Sequence, residues 1–281
     1  MTSPKTPQLV LLVLLAVVAS ATRSEAVCPG GFPCTKLKVQ VSGTTLKITD
    51  VSSGDPVDGY AGNFVYVKAK RDEGAVYVAE LANGVGFPGS VIAGKGCTAG
   101  SFAEDLSGGN PEDVWHHDLL TTWDAKCPLA GLKRIVIDVG AGTDYVNLVL
   151  SPIPVKITGG SGDDTLEVWS CGAQYGGGLE VPPYHSTTQL VGGLGSDYLY
   201  GGLGDDRLSG QGGDDYLEGA CGADKLLAGG GYDEIVSDES SWCENGCTQV
   251  RDIVSCGGSE DTVVPDPTDL YSTKQCESVA N

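Results

Sequence analysis

The chain is poor in phenylalanine, methionine and histidine, with 4, 1 and 3 copies in 281 residues, and has only 17 Lys and Arg against 37 Asp and Glu. Its formal charge of −20 argues against a nucleic-acid binder, which needs a basic face to neutralise phosphates. The same deficit disfavours docking on anionic lipid and favours cations as partners. No apolar stretch reaches the roughly 20 residues of a membrane-spanning helix. No segment past the N-terminus holds a 3.6-residue apolar period, so almost no helix is expected. GxSxG, HExxH and Cys/His arrangements for nucleophilic catalysis are missing. Glycine, by contrast, is abundant at 42 residues, about twice the usual share. There are 10 cysteines, and the hydrophobic fraction of 41% is enough to bury a core.

Residues 1–26 read as a secretory signal. Lys5 gives a positive start, Leu9 to Ala19 is an apolar run, and Ala19-Ser20-Ala21 and Ser24-Glu25-Ala26 both offer cleavage sites. The run is too short to span a bilayer. Cys28, Cys34, Cys97, Cys127, Cys171, Cys221, Cys243, Cys247, Cys256 and Cys276 all follow it. An even count in an exported chain points to disulfides rather than redox chemistry. Cys243 and Cys247 have a permissible zinc spacing, but no second pair or nearby His completes a tetrahedral site.

The main signal is an internal repeat. Gly192 to Val236 divides into five consecutive nonapeptides, GGLGSDYLY, GGLGDDRLS, GQGGDDYLE, GACGADKLL and AGGGYDEIV. The sixth position is always Asp (Asp197, Asp206, Asp215, Asp224, Asp233) and the eighth always aliphatic (Leu199, Leu208, Leu217, Leu226, Ile235). GGSGDDTLE at 159–167 fits in full, with Asp164 at its sixth position, and GAGTDYVN at 140–147 is a degenerate unit carrying Asp144. Residues 168–191 interrupt the array and are expected to protrude as a loop. Upstream, LKVQV (37–41), TLKIT (45–49), FVYVKA (64–69), AVYVAEL (75–81) and RIVID (134–138) read as strands.

Each unit combines a tight glycine turn, where positive φ is needed, with a short strand that turns its aliphatic residue inward. Stacking such strands in parallel gives a core too thin to hold the fold by burial alone. It also crowds carboxylates. With two units per coil, Asp197, Asp215 and Asp233 line one edge, and Asp206 and Asp224 the other. These repel unless a cation intervenes. A hard divalent ion with 6–8 oxygen ligands suits carboxylates mixed with carbonyls, and Ca2+ suits them better than Mg2+. Ion binding then becomes folding energy.

These units resemble the calcium-binding nonapeptide of RTX (hemolysin-type) proteins, of the exported bacterial kind. The resemblance implies an all-β chain built as a right-handed parallel β-roll with several Ca2+ ions in the turns. It implies ligands at Asp164, Asp197, Asp206, Asp215, Asp224 and Asp233, and carbonyl ligands at Gly193, Gly195, Gly202, Gly204 and Gly213. VSGTTLKIT (41–49), AGKGC (93–97) and LKRIVIDVGAGTDYV (132–146) are similar to the β-rich leader of such proteins. Residues 252–279 are similar to their C-terminal unit, which implies a Cys256–Cys276 bridge. Cys28–Cys34, Cys97–Cys127, Cys171–Cys221 and Cys243–Cys247 are expected from sequence proximity and rough placement. The array departs from the pattern at Gln211, Ala220, Cys221 and Ala228. Ser259 replaces a turn glycine and weakens the site expected at Asp261, and Asp144 is marginal.

Other candidates have simpler accounts. Gly84 to Gly89 matches a dinucleotide fingerprint in form, but Pro88 and the missing helix make it a loop. Trp115-His116-His117-Asp118 has no spaced partner except remote His185, and reads as an exposed polar loop. The expected organisation is therefore a signal (1–26), a small β-rich domain (27–137), an RTX roll (138–236) with an inserted loop, and a disulfide-bearing cap (237–281). The expected function is that of a secreted calcium-binding protein with no catalytic centre, no nucleic-acid partner and no membrane insertion. The alternatives are a calcium-stabilised adhesion or matrix protein that contacts cell-surface or matrix glycans, and an accessory module of an exported hydrolase or epimerase.

Overall fold

The structure, a computed structural model, describes residues 36–51, 62–82, 87–88, 90–103, 122–149, 151–169, 186–238, 247, 250–271, 276 and 278–279. The signal, the Cys28–Cys34 pairing and the histidines at 116, 117 and 185 lie outside the described residues. Strands form where apolar and polar residues alternate. In Lys36–Ser42, for example, Leu37 and Val39 are buried while Lys38 and Gln40 stand on the opposite face.

The strands make two sheets facing one core. The first runs, in spatial order, through Ile253–Gly258, Lys225–Gly230, Arg207–Gly212, Thr188–Leu194, Val155–Ser161, Arg134–Ala141, Thr45–Asp50, Lys36–Ser42 and Ser90–Ala93. The second runs through Ser278–Val279, Thr262–Val264, Glu234–Val236, Tyr216–Glu218, Tyr198–Tyr200, Thr165–Trp169, Tyr145–Val149, Phe64–Lys70, Ala75–Ala82, Thr122–Pro128 and Thr98–Ala103. From residue 134 on, the described strands pair in parallel, and successive units alternate between the sheets, which makes a β-roll. Its core is two columns of aliphatic residues. Leu190, Leu208, Leu226 and Val254 stack in the first sheet. Leu166, Leu199, Leu217, Ile235 and Val263 stack in the second.

The boundary expected at residues 137/138 falls inside the strand Arg134–Ala141, and the upstream strands join the roll instead of standing apart. Thr45–Asp50 pairs in parallel with Arg134–Ala141, and Phe64–Lys70 with Tyr145–Val149. One apolar cluster extends from Leu37 to Cys276. The glycine turns stop before residue 138 but the alternating apolar pattern does not, and the pattern is what sheet pairing requires. Two antiparallel hairpins, Lys36–Ser42 with Thr45–Asp50 and Phe64–Lys70 with Ala75–Ala82, close this end of the roll. At the other end the expected cap adds a rung to each sheet through Ile253–Gly258 and Thr262–Val264. The loop expected at 168–191 is narrower, since Thr165–Trp169 and Thr188–Leu194 are strands on either side of it.

Cys97 is bonded to Cys127 and Cys256 to Cys276, at Cα separations of 4.3 and 5.4 Å. The expected Cys171–Cys221 and Cys243–Cys247 pairings are corrected, because Cys221 is bonded to Cys247. Cys221 sits in the turn of the fourth unit beside Leu203, and the chain brings Cys247 over that same turn. Proximity along the sequence misses this placement. Cys171 and Cys243 lie outside the described residues.

Candidate metal centre

Asp follows the glycine turn in each unit, so every coil delivers one carboxylate to the same height on the roll's edge. Along one edge, the backbone N–H of Asp144 donates to Oδ1 of Asp164 (2.8 Å), that of Asp164 to Asp197 (2.9 Å), and that of Asp197 to Asp215 (2.9 Å). The run continues from Asp215 to Asp233 (2.9 Å) and from Asp233 to Asp261 (3.0 Å). Asn63 begins it, its N–H donating to Asp144. On the other edge the N–H of Thr188 donates to Asp206, that of Asp206 to Asp224 (2.7 Å), and that of Asp224 to Asp252 (2.8 Å). The structure thus brings all six expected aspartates into two ladders; the 18-residue phase read from the repeats holds from Asp197 to Asp233 and from Asp206 to Asp224, while Asp164 joins Asp197 across the inserted segment, 33 residues away.

One oxygen of each rung is used in this way. The Oδ2 atoms of Asp144, Asp164, Asp197, Asp206, Asp215 and Asp233 are buried without a hydrogen-bond donor. Glycine makes room for them. A Cβ at Gly192 would lie 2.1 Å from Oδ2 of Asp197, and one at Gly210 would lie 2.1 Å from Oδ2 of Asp215. The leading glycine of five units, Gly159, Gly192, Gly201, Gly210 and Gly219, therefore shapes the carboxylate's pocket, a role the sequence reading did not give it; the last unit has Ala228 there.

The turn glycines expected as carbonyl ligands serve the stacking as well. A Cβ on Gly193 would sit 2.0 Å from the carbonyl oxygen of Gly160, one on Gly195 2.3 Å from that of Gly162, and one on Gly213 2.0 Å from that of Gly195. The carbonyl of Gly204 faces Gly222 in the same manner, and that of Gly202 accepts the N–H of Cys221 at 2.9 Å. Turn carbonyls thus crowd the gaps between coils, next to the aspartate rungs.

Burial dominates the electrostatics. It pushes the carboxyl of Asp164 up to about 8, those of Asp144 and Asp215 to about 7, and those of Asp197 and Asp233 to about 6. Backbone N–H donors offset part of this, and neighbouring carboxylates add to it. Asp206 is held well above its ordinary value by burial and then by Asp224. A divalent ion would relieve both causes. Among the described residues, no three His, Cys, Asp or Glu side chains converge as a metal site. The oxygens on offer to an ion here would be those of one or two carboxylates plus backbone carbonyls, a donor set that suits Ca2+ better than zinc.

Two rungs exceed expectation. Asp261 is fully buried and continues its ladder despite Ser259, which adopts the glycine-like φ of 96°. Asp252, also fully buried, extends the second ladder. Both lie 28 residues past their partners because ten extra residues enter before them. A legible signal was present, since Asp252 and Asp261 are nine apart, each followed two positions later by valine.

Fold and site together define a parallel β-roll with stacked carboxylate turns, a repeat protein built around hard cations. The RTX calcium-binding nonapeptide repeat family matches in four copies, at residues 156–168, 191–226 and 200–235. The chain thus carries RTX calcium-binding nonapeptide repeats within residues 156–235. Comparison with curated proteins and with solved structures finds no match.

Proposed function

We propose that this is an exported protein whose roll orders around Ca2+ once outside the cell, and that it binds calcium without a catalytic centre of its own. The observation that carries this reading is the set of buried, donorless Oδ2 atoms at Asp164, Asp197, Asp206, Asp215 and Asp233. A buried carboxylate oxygen with no donor costs several kcal/mol unless it is protonated or coordinated. Calcium outside the cell is plentiful enough to occupy sites of roughly 10⁻⁴–10⁻³ M affinity, the range typical of extracellular modules. Export is supported by the signal-like N-terminus and by the disulfides, which persist in oxidising compartments.

The test is a calcium titration of residues 27–281, read by far-UV circular dichroism and calorimetry after chelation. A rise in β content with a midpoint at submillimolar to millimolar calcium is expected. Equal β content and equal melting temperature with chelator and with several millimolar calcium would overturn the reading.

A further inference from the structure

The outer face of the first sheet carries a basic row that the calcium turns do not require. Strand register places Lys47, Val136, Lys156, Gln189, Arg207 and Lys225 side by side on consecutive strands. Their flanking residues, such as Leu46, Ile157 and Leu208, are buried, so by alternation this row points outward. Lys47, Lys156 and Arg207 are exposed and Lys225 is half-buried. Five steps of about 4.8 Å separate Lys47 from Lys225, a line of about 24 Å. Two residues along each strand runs a second row, Thr49, Asp138, Thr158, Val191, Ser209 and Leu227. It is rich in hydroxyls and contributes the one carboxylate of the two rows.

This row is not a counter-charge for the aspartate ladders. Arg207 and Lys225 directly follow Asp206 and Asp224, but the corresponding positions on the second sheet are Thr165, Tyr198, Tyr216 and Glu234. That outer face is phenolic and acidic. Tyr198 and Tyr216 stack at 4.7 Å, and the hydroxyls of Tyr145 and Tyr216 donate to Glu167 and Glu218 at 2.8 and 2.9 Å. Lys47 and Lys156, moreover, lie on strands that precede the ladder begun at Thr188. On a chain of formal charge −20, a straight cationic line on one flat face is a local reversal of sign.

We infer that this face binds a linear acidic polysaccharide, with carboxylate or sulfate groups along the basic row and sugar hydroxyls against Thr49, Thr158 and Ser209. A line of cations matches an extended polyanion better than a compact anion. The neighbouring hydroxyls suit sugars, and neither row holds an aromatic ring on which nucleic-acid bases could stack. The surface is separate from the calcium turns, though the sheet that presents it is ordered with them.

The test uses calcium-saturated protein (27–281) whose fold is first verified by circular dichroism, so failure of calcium-dependent folding would be seen before any polysaccharide is added. Fluorescence anisotropy follows binding of labelled hyaluronan, which carries only carboxylates, and of heparin, which is mainly sulfated. Neutral dextran, duplex DNA and phosphatidylserine vesicles serve as comparisons. The variant Lys156→Gln/Arg207→Gln is set against Arg71→Gln/Lys95→Gln, an equal charge change at exposed positions elsewhere. Binding of at least one acidic polysaccharide at low salt is expected, weakened roughly tenfold by the row variant and little by the other. Preference for hyaluronan or for heparin assigns the anionic group. The inference is overturned if neither polysaccharide binds, if the two variants weaken binding equally, or if DNA or vesicles bind more tightly than both polysaccharides.

Discussion

Replacing Asp215 by Asn and by Ala separates the two roles of a rung. Its Oδ1 accepts the N–H of Asp197 at 2.9 Å, while its Oδ2 is buried beside Gly210. Asn keeps the volume and the acceptor but removes the charge. Ala removes the acceptor too, and strands a buried N–H at a cost of about 1–3 kcal/mol. In chelator near neutral pH, the charged Asp215 faces Asp197 and Asp233 one rung away on either side. Unit charges about 5 Å apart repel by about 3 kcal/mol at an effective dielectric of about 20, so even partial relief should stabilise Asp215→Asn by about 1 kcal/mol. The expected order of stability is thus Asn above wild type above Ala in chelator, and wild type above Asn above Ala with saturating calcium. Urea unfolding followed by circular dichroism in both conditions reads this directly. Equal destabilisation of the Asn and Ala variants in chelator would refute the division of roles, and an unchanged calcium midpoint in Asp215→Asn would refute ligation.

Further consequences follow from the same geometry. Because burial raises the carboxyls of Asp164, Asp215 and Asp197 to about 8, 7 and 6, above the roughly 4 of an unfolded chain, the ion-free fold binds protons more tightly than the unfolded state. Its stability is therefore greatest below about pH 4 and falls as pH rises through about 6 to 8, which melting curves in chelator will show. With calcium the trend reverses, the midpoint moving to higher calcium as pH falls through that window. Gly193→Ala, at φ 137° and with a Cβ 2.0 Å from Gly160 O, should cost about 3 kcal/mol. Ala220→Gly, relieving a left-handed φ of 66°, should gain up to about 1 kcal/mol in the same calcium-saturated melts. Removing the Cys221–Cys247 bridge, whose partners are 26 residues apart, should cost about 3 kcal/mol by loop entropy, measured by urea unfolding of the double Ser variant.

The ladders were legible because a nine-residue period leaves one chemical answer per position: Asp at the sixth and an aliphatic at the eighth fix both turn and core. The N-terminal strands were legible as strands but not as part of the roll, since alternation tells which face is buried and not against what. Asp252 and Asp261 were obscured by the ten inserted residues that break the phase. The Cys221–Cys247 bond was hidden because it joins the turn of the fourth unit to a cysteine 26 residues further on, outside the repeats. Of the basic row, only the Arg207–Lys225 step follows from the repeat phase. Lys47, Lys156, Arg207 and Lys225 have irregular spacing along the chain, and only the register of six strands brings them into line.

The end of the second ladder shows what the open rungs of both ladders lack. Asp269 accepts the N–H of Asp252 at 2.9 Å, as any rung would, but its Oδ2 also accepts the hydroxyl of Ser237 at 2.8 Å and the N–H of Asp266 at 2.9 Å. This carboxylate is satisfied by protein donors, and the ladder stops there. Such donors were therefore available to the fold, and a serine or a bent backbone segment is enough to supply them. At Asp197, Asp206 and Asp215 the chain places glycine against Oδ2 instead, leaving a buried acceptor bordered by backbone at full hydrogen-bonding cost. A fold that closes this carboxylate with its own donors and leaves interior ones open can keep them ionised at low cost only if something else fills them. The charge, the hardness of the oxygen donors and the spacing of the turns make that filler Ca2+.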